Sequence, residues 1–269
     1  MPDVLRLAVG TLTRLPVPAP RRIDRQVAGS AMLLAPFVGA VLALAVGLAT
    51  QVAADRLPAS VPPLLLAALA VAALAWLTRA LHLDGLADTA DALGSGRPAD
   101  QALAIARRSD IGPFGVVTLV LVLLVQVAAL SGLVADGRGL LGLVVAAGTA
   151  RLGITMACAR GIPAARPDGL GAAVAGTVPV AAAIAVGVIW LGACAAVTAV
   201  LLPGAAGAVT ANFGQRYRYT GAIAGAMLAA AVVLVVCTRR LGGITGDVLG
   251  AIVELTFTVG LVILVAVPS

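Results

Sequence analysis

The sequence predicts an all-α, polytopic integral membrane protein of a single domain, 1–269, and its composition gives the reasons. Hydrophobic residues make up 61% of the chain and charged residues 11%, whereas a soluble domain carries roughly 25% charged residues. Aromatic residues contribute only 3%, so most of the apolar surface is aliphatic. A soluble domain of this length could not bury that much apolar surface.

Seven apolar stretches approach the roughly 20 residues that a helix needs to cross a bilayer. They predict about seven transmembrane helices. The stretch Pro203–Thr220 is partly apolar but holds Asn212, Gln215 and two Arg, so it could extend a helix, re-enter the membrane or form a loop. The seven predicted spans are Ala31–Ala53, Val61–Leu81, Pro113–Val134, Gly139–Ala157, Val178–Leu202, Gly221–Cys237 and Val248–Val267.

The first 30 residues contain five Arg and no span. Apolar residues recur at helical spacing from Val4 to Leu15, which predicts an amphipathic helix at the membrane interface. Thr13–Pro18 then breaks that helix. The segment does not have the order of charges, apolar run and cleavage site that a signal peptide needs.

Arg residues in the loops predict the orientation of the chain. If there are seven spans, thirteen loop Arg lie on one side and four on the other, with Arg151 left out because it falls within a span. The N-terminus and the loops 82–112 and 239–247 are therefore expected in the cytoplasm, with the protein in a bacterial inner membrane. This count depends on Val178–Thr220 crossing the membrane once.

Other broad classes are excluded. Intrinsic disorder needs low hydrophobicity and high charge. The three cysteines are an odd number within or beside apolar stretches, which argues against a disulfide framework. A net charge of +6 is explained by positive-inside loops, and nucleic-acid binding would need aromatic platforms on a basic face.

Five of the twelve acidic residues lie between Asp84 and Asp110. The pattern from His82 to Leu93 continues that of the preceding helix, and on a helix Asp84, Asp88 and Asp91 form one stripe. Stacked carboxylates repel one another, so a cation is expected on the stripe. Mg²⁺ suits carboxylates that share it with phosphate; a plain polar helix end is the alternative.

His82 is the one histidine of the chain. On a continuous helix it points away from the aspartate stripe, which makes it a doubtful metal ligand. It could contact a substrate or hydrogen-bond a backbone carbonyl.

Two further segments predict phosphate contacts. Arg107, Arg108, Ser109 and Asp110 precede Gly-Pro and a span; paired Arg and a helix N-terminus bind anions, although a positive-inside flank would also explain the Arg. The second segment is the glycine-containing loop before the last span, whose backbone could cradle phosphate. Its predicted binding residues are Gly242, Gly243, Thr245 and Gly246, followed by Asp247, which could instead cap the helix.

Two further features are weaker candidates for a functional role. Glu254 lies on the same helical stripe as Asp247, about two turns into the membrane, where an ionisable residue is a functional candidate. Arg166–Gly171 is another glycine-containing loop, but Pro-Asp-Gly also forms ordinary turns.

Together these segments predict phosphorus-centred group transfer on the cytoplasmic face, with a metal ion neutralising a diphosphate. Four motifs in order resemble the cobalamin synthase family, the adenosylcobinamide-GDP ribazoletransferases, over nearly the whole chain. The motifs are Thr-Arg-Leu-Pro-Val-Pro from Thr13, Leu-His-Leu-Asp-Gly-Leu-Ala-Asp-Thr-Ala-Asp-Ala from Leu81, Arg-Ser-Asp-Ile-Gly-Pro-Phe-Gly-Val from Arg108 and Gly-Gly-Ile-Thr-Gly-Asp-Val-Leu-Gly-Ala from Gly242.

The resemblance implies that adenosylcobinamide-GDP and α-ribazole, or its 5′-phosphate, give adenosylcobalamin, or its 5′-phosphate, and GMP. On this basis Mg²⁺ is expected on Asp84 and Asp88 with Asp91 and Asp247, and Asp91 is the candidate base. His82 is a further catalytic candidate. The lipid bilayer is the expected surrounding, nucleic acid is not an expected partner, and a homo-oligomer is left open.

Two other functions remain as alternatives. Asp84, Gly85, Asp88 and Asp91 are similar to the opening half of the CDP-alcohol phosphotransferase signature, but its remaining residues are not found beside them. A transporter could also carry buried acids and glycine-broken helices, although an inverted repeat is not seen and most charges lie at helix ends.

Overall fold

The computed structural model describes residues 1–108, 110–201 and 209–267. All regular elements of these residues are helices, and backbone pairing outside them is limited to isolated bridges. The helices are α1 (Asp3–Leu12), α2 (Arg25–Leu33), α3 (Ala35–Arg56), α4 (Pro63–Leu77), α5 (Leu81–Gly94), α6 (Ala99–Ile105), α7 (Pro113–Ala135), α8 (Gly139–Ala157), α9 (Gly169–Val174), α10 (Val180–Leu201), α11 (Val209–Leu241) and α12 (Gly246–Ala266).

The helices confirm the predicted membrane architecture. Six of them, α3, α7, α8, α10, α11 and α12, are long and apolar enough to cross a bilayer, and the bent pair of α4 and α5 brings the number to as many as seven. The predicted N-terminal helix is present as α1 and ends at Leu12, just before the predicted break. A separate short helix, α2, begins where the side chain of Asp24 accepts hydrogen bonds from the backbone N–H groups of Gln26 and Val27.

The expectation that residues 82–93 continue the preceding helix is wrong. α4 ends at Leu77, and α5 leaves it at an angle of 88°. Arg79 and Ala80 adopt left-handed backbone conformations, with φ of 56° and 53°. The guanidinium of Arg79 donates to the carbonyls of Gly10 and Thr11 at the end of α1, at 3.0 and 3.3 Å. These contacts hold the break at which α5 turns away.

In the described part of the segment 178–220, one stretch is long and apolar enough to cross a membrane, Val180–Thr198. At one end, the backbone N–H of Arg160 donates to the carbonyl of Val178 just before α10. At the other end, Arg218 on α11 lies close enough to Arg138 and Asp136 for their charges to interact. The part 209–220 of the stretch left open by the sequence extends α11, and 202–208 lie outside the described residues.

The two central helices are α8 and α12. In their spanning windows 83% and 67% of residues are buried, compared with 11–33% in the other four long helices. Close packing of α8 depends on small residues, as is usual between helices in lipid. A Cβ atom added at Gly148 would collide with the ring of Trp190 on α10, and that ring is fixed by a 3.0 Å hydrogen bond from its Nε1 to Oγ1 of Thr149.

We expect Gly148→Ala to destabilise the protein by about 1–3 kcal/mol, the usual effect of overpacking a core. Thermal unfolding of the purified protein in detergent measures the change. Gly192→Ala is the matched control, because nothing described lies within 4 Å of the added Cβ there. Equal stability of the two variants would contradict this packing.

Candidate active site

A cavity of about 380 Å³ lies at the end of the molecule where the loops before α7, α9 and α12 meet α5. Its wall combines charged side chains with an apolar part formed by Leu12, Met32, Ile154 and Leu249. Both carboxylates and guanidinium groups therefore face one space. The charged lining residues are Asp84, Asp168, Asp247, Arg107 and Arg166.

The acidic wall depends on a close contact between α5 and α12. A Cβ atom at Gly85 would lie 2.7 Å from the carbonyl oxygen and 2.9 Å from the Cα atom of Asp247. A Cβ atom at Gly250 would lie 2.9 Å from the carbonyl oxygen of His82. Two glycines thus let the helix backbones touch, which brings Asp84 and Asp247 to the same cavity.

Asp88 lies on α5 one turn beyond Asp84 and is partly exposed. α5 contacts the N-terminal ends of α12 and α7. Burial raises the pKa of Asp88 to about 7, and the negative charges of Asp84 and Asp247 act in the same direction. This mutual repulsion indicates a local excess of negative charge, which a cation would relieve.

The acids Asp84, Asp88, Asp91 and Asp247 do not all converge on one point. Within the described chain, no group of three or more His, Cys, Asp or Glu side chains could hold a single metal ion. Mg²⁺ usually keeps several waters and takes only one or two carboxylates plus phosphate oxygens. The carboxylates of Asp84 and Asp247 in one cavity fit this smaller requirement.

Asp91 has a different position from its neighbours on the stripe. Its carboxylate is buried and accepts hydrogen bonds from the backbone N–H groups of Gly112, at 2.7 Å, and Gly115, at 2.9 Å. Both donors belong to the start of α7, where N–H groups have no partner within the helix. Asp91 therefore fastens α5 to α7. Its predicted roles as base and metal ligand stay predictions.

His82 is buried, 4% exposed, and lines the cavity from the first turn of α5. His82 and the aspartate stripe lie on the same continuous helix, α5, yet His82 lines the same cavity as Asp84. Its Nε2 atom has no hydrogen-bond partner among the described residues.

The guanidinium groups reach the cavity from two loops. Arg107 forms an ion pair with Asp168, and Arg166 lies 3.8 Å from the Asp247 carboxylate while donating to the carbonyl of Leu103 at 2.8 Å. Arg108 and Asp110 are exposed and do not line the cavity. Ser109 lies outside the described residues. Among the described residues of the segment 107–110, Arg107 alone lines the cavity.

In the glycine-containing loop before α12, too, only some of the predicted binding residues line the cavity. Thr245 and Gly246 line the cavity, and Thr245, not Asp247, caps α12, since its Oγ1 accepts from the N–H of Val248 at 3.2 Å. Gly242 ends α11 with a φ of 85°. Gly243 packs directly against the backbone of residues 163–165. Neither of these two glycines lines the cavity.

The loop Arg166–Gly171 contributes more than its sequence indicated. Both Arg166 and Asp168 line the cavity, although neither was among the predicted site residues. The loop is held by backbone hydrogen bonds from Ile244 to Pro163 and from Ala165 to Ile244, at 2.9 and 3.0 Å. The signal that could have identified the loop Arg166–Gly171 is its glycine content together with its predicted position on the same face as the glycine-containing loop before α12.

Comparison with known proteins gives a consistent result. A family model described as cobalamin-5-phosphate synthase matches residues 4–265. A protein of Frankia casuarinae named adenosylcobinamide-GDP ribazoletransferase is 42% identical, with 96% of this chain and 93% of the relative covered. Proteins of the same name from a Nocardioides species and Pseudomonas aeruginosa PAO1 are 41% and 36% identical, with 95% and 94% of this chain and 95% and 93% of the relatives covered. No solved structure matches the chain.

The contact between Asp91 and α7 can be tested without an activity. Asp91→Asn keeps the size of the side chain but removes its charge and turns an amide toward one N–H donor. We expect a loss of about 1–3 kcal/mol in stability, as for a buried donor left unsatisfied. Thermal unfolding in detergent measures it, with Asp100→Asn at an exposed position of α6 as the control. An Asp91→Asn variant as stable as that control would contradict the contact.

Proposed function

The chain belongs to the cobalamin-5-phosphate synthase family, and from this premise we propose that it is an adenosylcobinamide-GDP ribazoletransferase. The proposed reaction joins adenosylcobinamide-GDP and α-ribazole, or its 5′-phosphate, and releases GMP. The observation that carries the proposal is the cavity shared by Asp84, Asp247, Arg107 and Arg166. A diphosphate substrate needs both kinds of group, carboxylates for a divalent cation and guanidinium groups for phosphate oxygens.

A ribose hydroxyl of α-ribazole other than the 5′-hydroxyl attacks the phosphorus atom attached to cobinamide and loses its proton to solvent, while the bond from that phosphorus to the oxygen of the departing GMP breaks. The 5′ position is excluded because the 5′-phosphate of the second substrate is retained in the product. Arg107 and Arg166 bind phosphate oxygens and orient the diphosphate for this attack. Arg107 exchanges its present partner, Asp168, for phosphate. The volume of about 380 Å³ suits the diphosphate and the reacting hydroxyl, so the bulky corrinoid lies at the cavity mouth.

Asp84 and Asp247 are the proposed ligands of Mg²⁺, with Asp88 adding a third negative charge beside them. Bound there, Mg²⁺ would neutralise charge on the diphosphate and on the leaving GMP. Support comes from the raised pKa of Asp88 and from the close approach of α5 to α12. A polar helix end without a bound cation would need neither a crowded group of carboxylates nor the close approach of α5 to α12.

The proposed location is the bacterial inner membrane, with the cavity facing the cytoplasm. The positions of three Arg residues at the helix ends support this orientation. Arg107 and Arg166 lie at the cavity end, and Arg138 lies at the other, where it donates to the carbonyl of Leu264 near the end of α12.

The direct test is GMP release from adenosylcobinamide-GDP and α-ribazole by the purified protein with Mg²⁺. Asp84→Asn should lower the rate by at least about 100-fold, the upper range seen when a metal site loses support. Asp100→Asn is the matched control. Transfer at the wild-type rate by a folded Asp84→Asn protein would refute the metal assignment. Activity with CDP-diacylglycerol and an alcohol, without GMP release, would instead favour a CDP-alcohol phosphotransferase.

The dependence on pH follows from Asp88. Its pKa is raised to about 7, so the carboxyl is protonated below that pH and adds negative charge above it. The apparent affinity for Mg²⁺ should therefore rise as the pH increases from about 6 to about 8, by roughly tenfold, because cation binding competes with protons. Mg²⁺ titrations of the transfer rate measure this. Asp88→Asn should remove the dependence in this range, and an unchanged pH profile would exclude Asp88 from the site.

A further inference from the structure

A second group of polar side chains lies deeper in the helix bundle, below the active-site cavity. It consists of Arg151 on α8, Glu254 on α12, Gln126 on α7 and His82 on α5. Arg151 and His82 are 4% exposed and Gln126 is 1% exposed. The mechanism proposed above uses none of these four groups. Charged residues within a membrane domain are costly and need partners.

A small cavity of about 30 Å³ separates these side chains and is lined by all four. One water molecule needs roughly 10–15 Å³ by this measure, so there is room for one or two. The volume is too small for an organic ligand. The presence of a guanidinium group in the wall opposes a metal cation and favours water.

The hydrogen bonds of the cluster are incomplete. Nε2 of Gln126 donates to Oε2 of Glu254 at 2.8 Å and to Oγ1 of Thr258 at 3.1 Å. Arg151 donates to the carbonyl of Ala147 at 3.2 Å. In the part of the chain that the structure describes, Nε of Arg151 and Nε2 of His82 are buried without a partner. Leaving such atoms unsatisfied is costly.

The opposite charges of Arg151 and Glu254 face the same space but do not meet. Among the described residues, they form no ion pair within 4 Å. A water molecule in this space could accept a hydrogen bond from Arg151 and donate one to Glu254. It would then have two polar partners, and a buried water requires two to four.

We propose that this inner cavity holds one or two ordered water molecules that join Arg151, Glu254 and His82 into one hydrogen-bonded cluster. His82 lines both cavities and precedes Asp84 by two residues. The cluster therefore fixes the first turn of α5 relative to α8 and α12. Arg151 and Glu254 are positioning residues for the acidic wall, and this second part of the inference rests on the proposed function.

The water is tested without any activity, by radiolytic hydroxyl-radical footprinting of the full-length protein in detergent. Phe257 is 6% exposed and lines only the inner cavity of the two, so bound water should cause its oxidation. Trp190 is 4% exposed, lines neither cavity and serves as the buried control. We expect oxidation of Phe257 above that of Trp190. Oxidation of Phe257 at or below that of Trp190, the intrinsically more reactive side chain, would overturn the proposal.

The positioning role is tested with Arg151→Met and with the double variant Arg151→Met/Glu254→Gln. The single change leaves Glu254 without its cation and should lower the thermal unfolding temperature. The double change removes both charges and should restore most of it, because replacing a buried pair is far less harmful than breaking it. Footprinting of the double variant should show Phe257 oxidation reduced to the Trp190 level.

The double variant should nevertheless require about tenfold more Mg²⁺ for half-maximal transfer, the order of loss seen when groups that orient metal ligands are removed. Arg138→Met, at the far end of the bundle, is the control and should keep the wild-type Mg²⁺ requirement. A double variant that regains both stability and the wild-type Mg²⁺ requirement would show a purely structural cluster. Wild-type protein without Mg²⁺-dependent transfer would refute the proposed function and leave the footprinting result unaffected.

Discussion

The contact between the backbones of α5 and α12 at Gly85 and Gly250 determines the geometry of the rest of the site. Any side chain at either position would meet the backbone of the opposite helix within 3 Å. The two aspartates beside this contact, Asp84 and Asp247, therefore reach one cavity although they are distant in sequence. Repulsion between them opposes the contact, so the surrounding structure must hold α5 in place from both ends.

The N-terminal segment supplies one of these restraints, and it also shows where prediction from sequence fails. The spans could be predicted, because a membrane helix needs a length of apolar residues that is visible locally. The break between α4 and α5 could not. Arg79 and Ala80 are not residues that favour left-handed backbone. Arg79 is held by the hydrogen bonds that its guanidinium donates to the carbonyls of Gly10 and Thr11, 69 and 68 residues away.

The candidate site was predictable to a similar extent. Scarcity of charge made Asp84, Asp247 and Arg107 recognisable, since each stands out in an apolar chain. The loop of Arg166 and Asp168 was not recognised, because Pro-Asp-Gly describes a turn equally well. Its place at the cavity depends on long-range backbone contacts, such as that of Gly171 with Thr245, where a Cβ atom would lie 2.6 Å away from the Thr245 Cα. The sequence shows such a contact only as a glycine, and a glycine has many other uses.

The aspartate stripe shows why helical periodicity alone does not assign roles. Asp84, Asp88 and Asp91 share one face of α5, yet they are exposed, partly buried and buried in that order. The reason is that α5 passes from the start of α12 to the start of α7. Its first carboxylate opens into the cavity, whereas its last is saturated by N–H groups of Gly112 and Gly115. A cation would gain most at the end where the carboxylates lack such donors, which is why the proposed Mg²⁺ site lies beside α12.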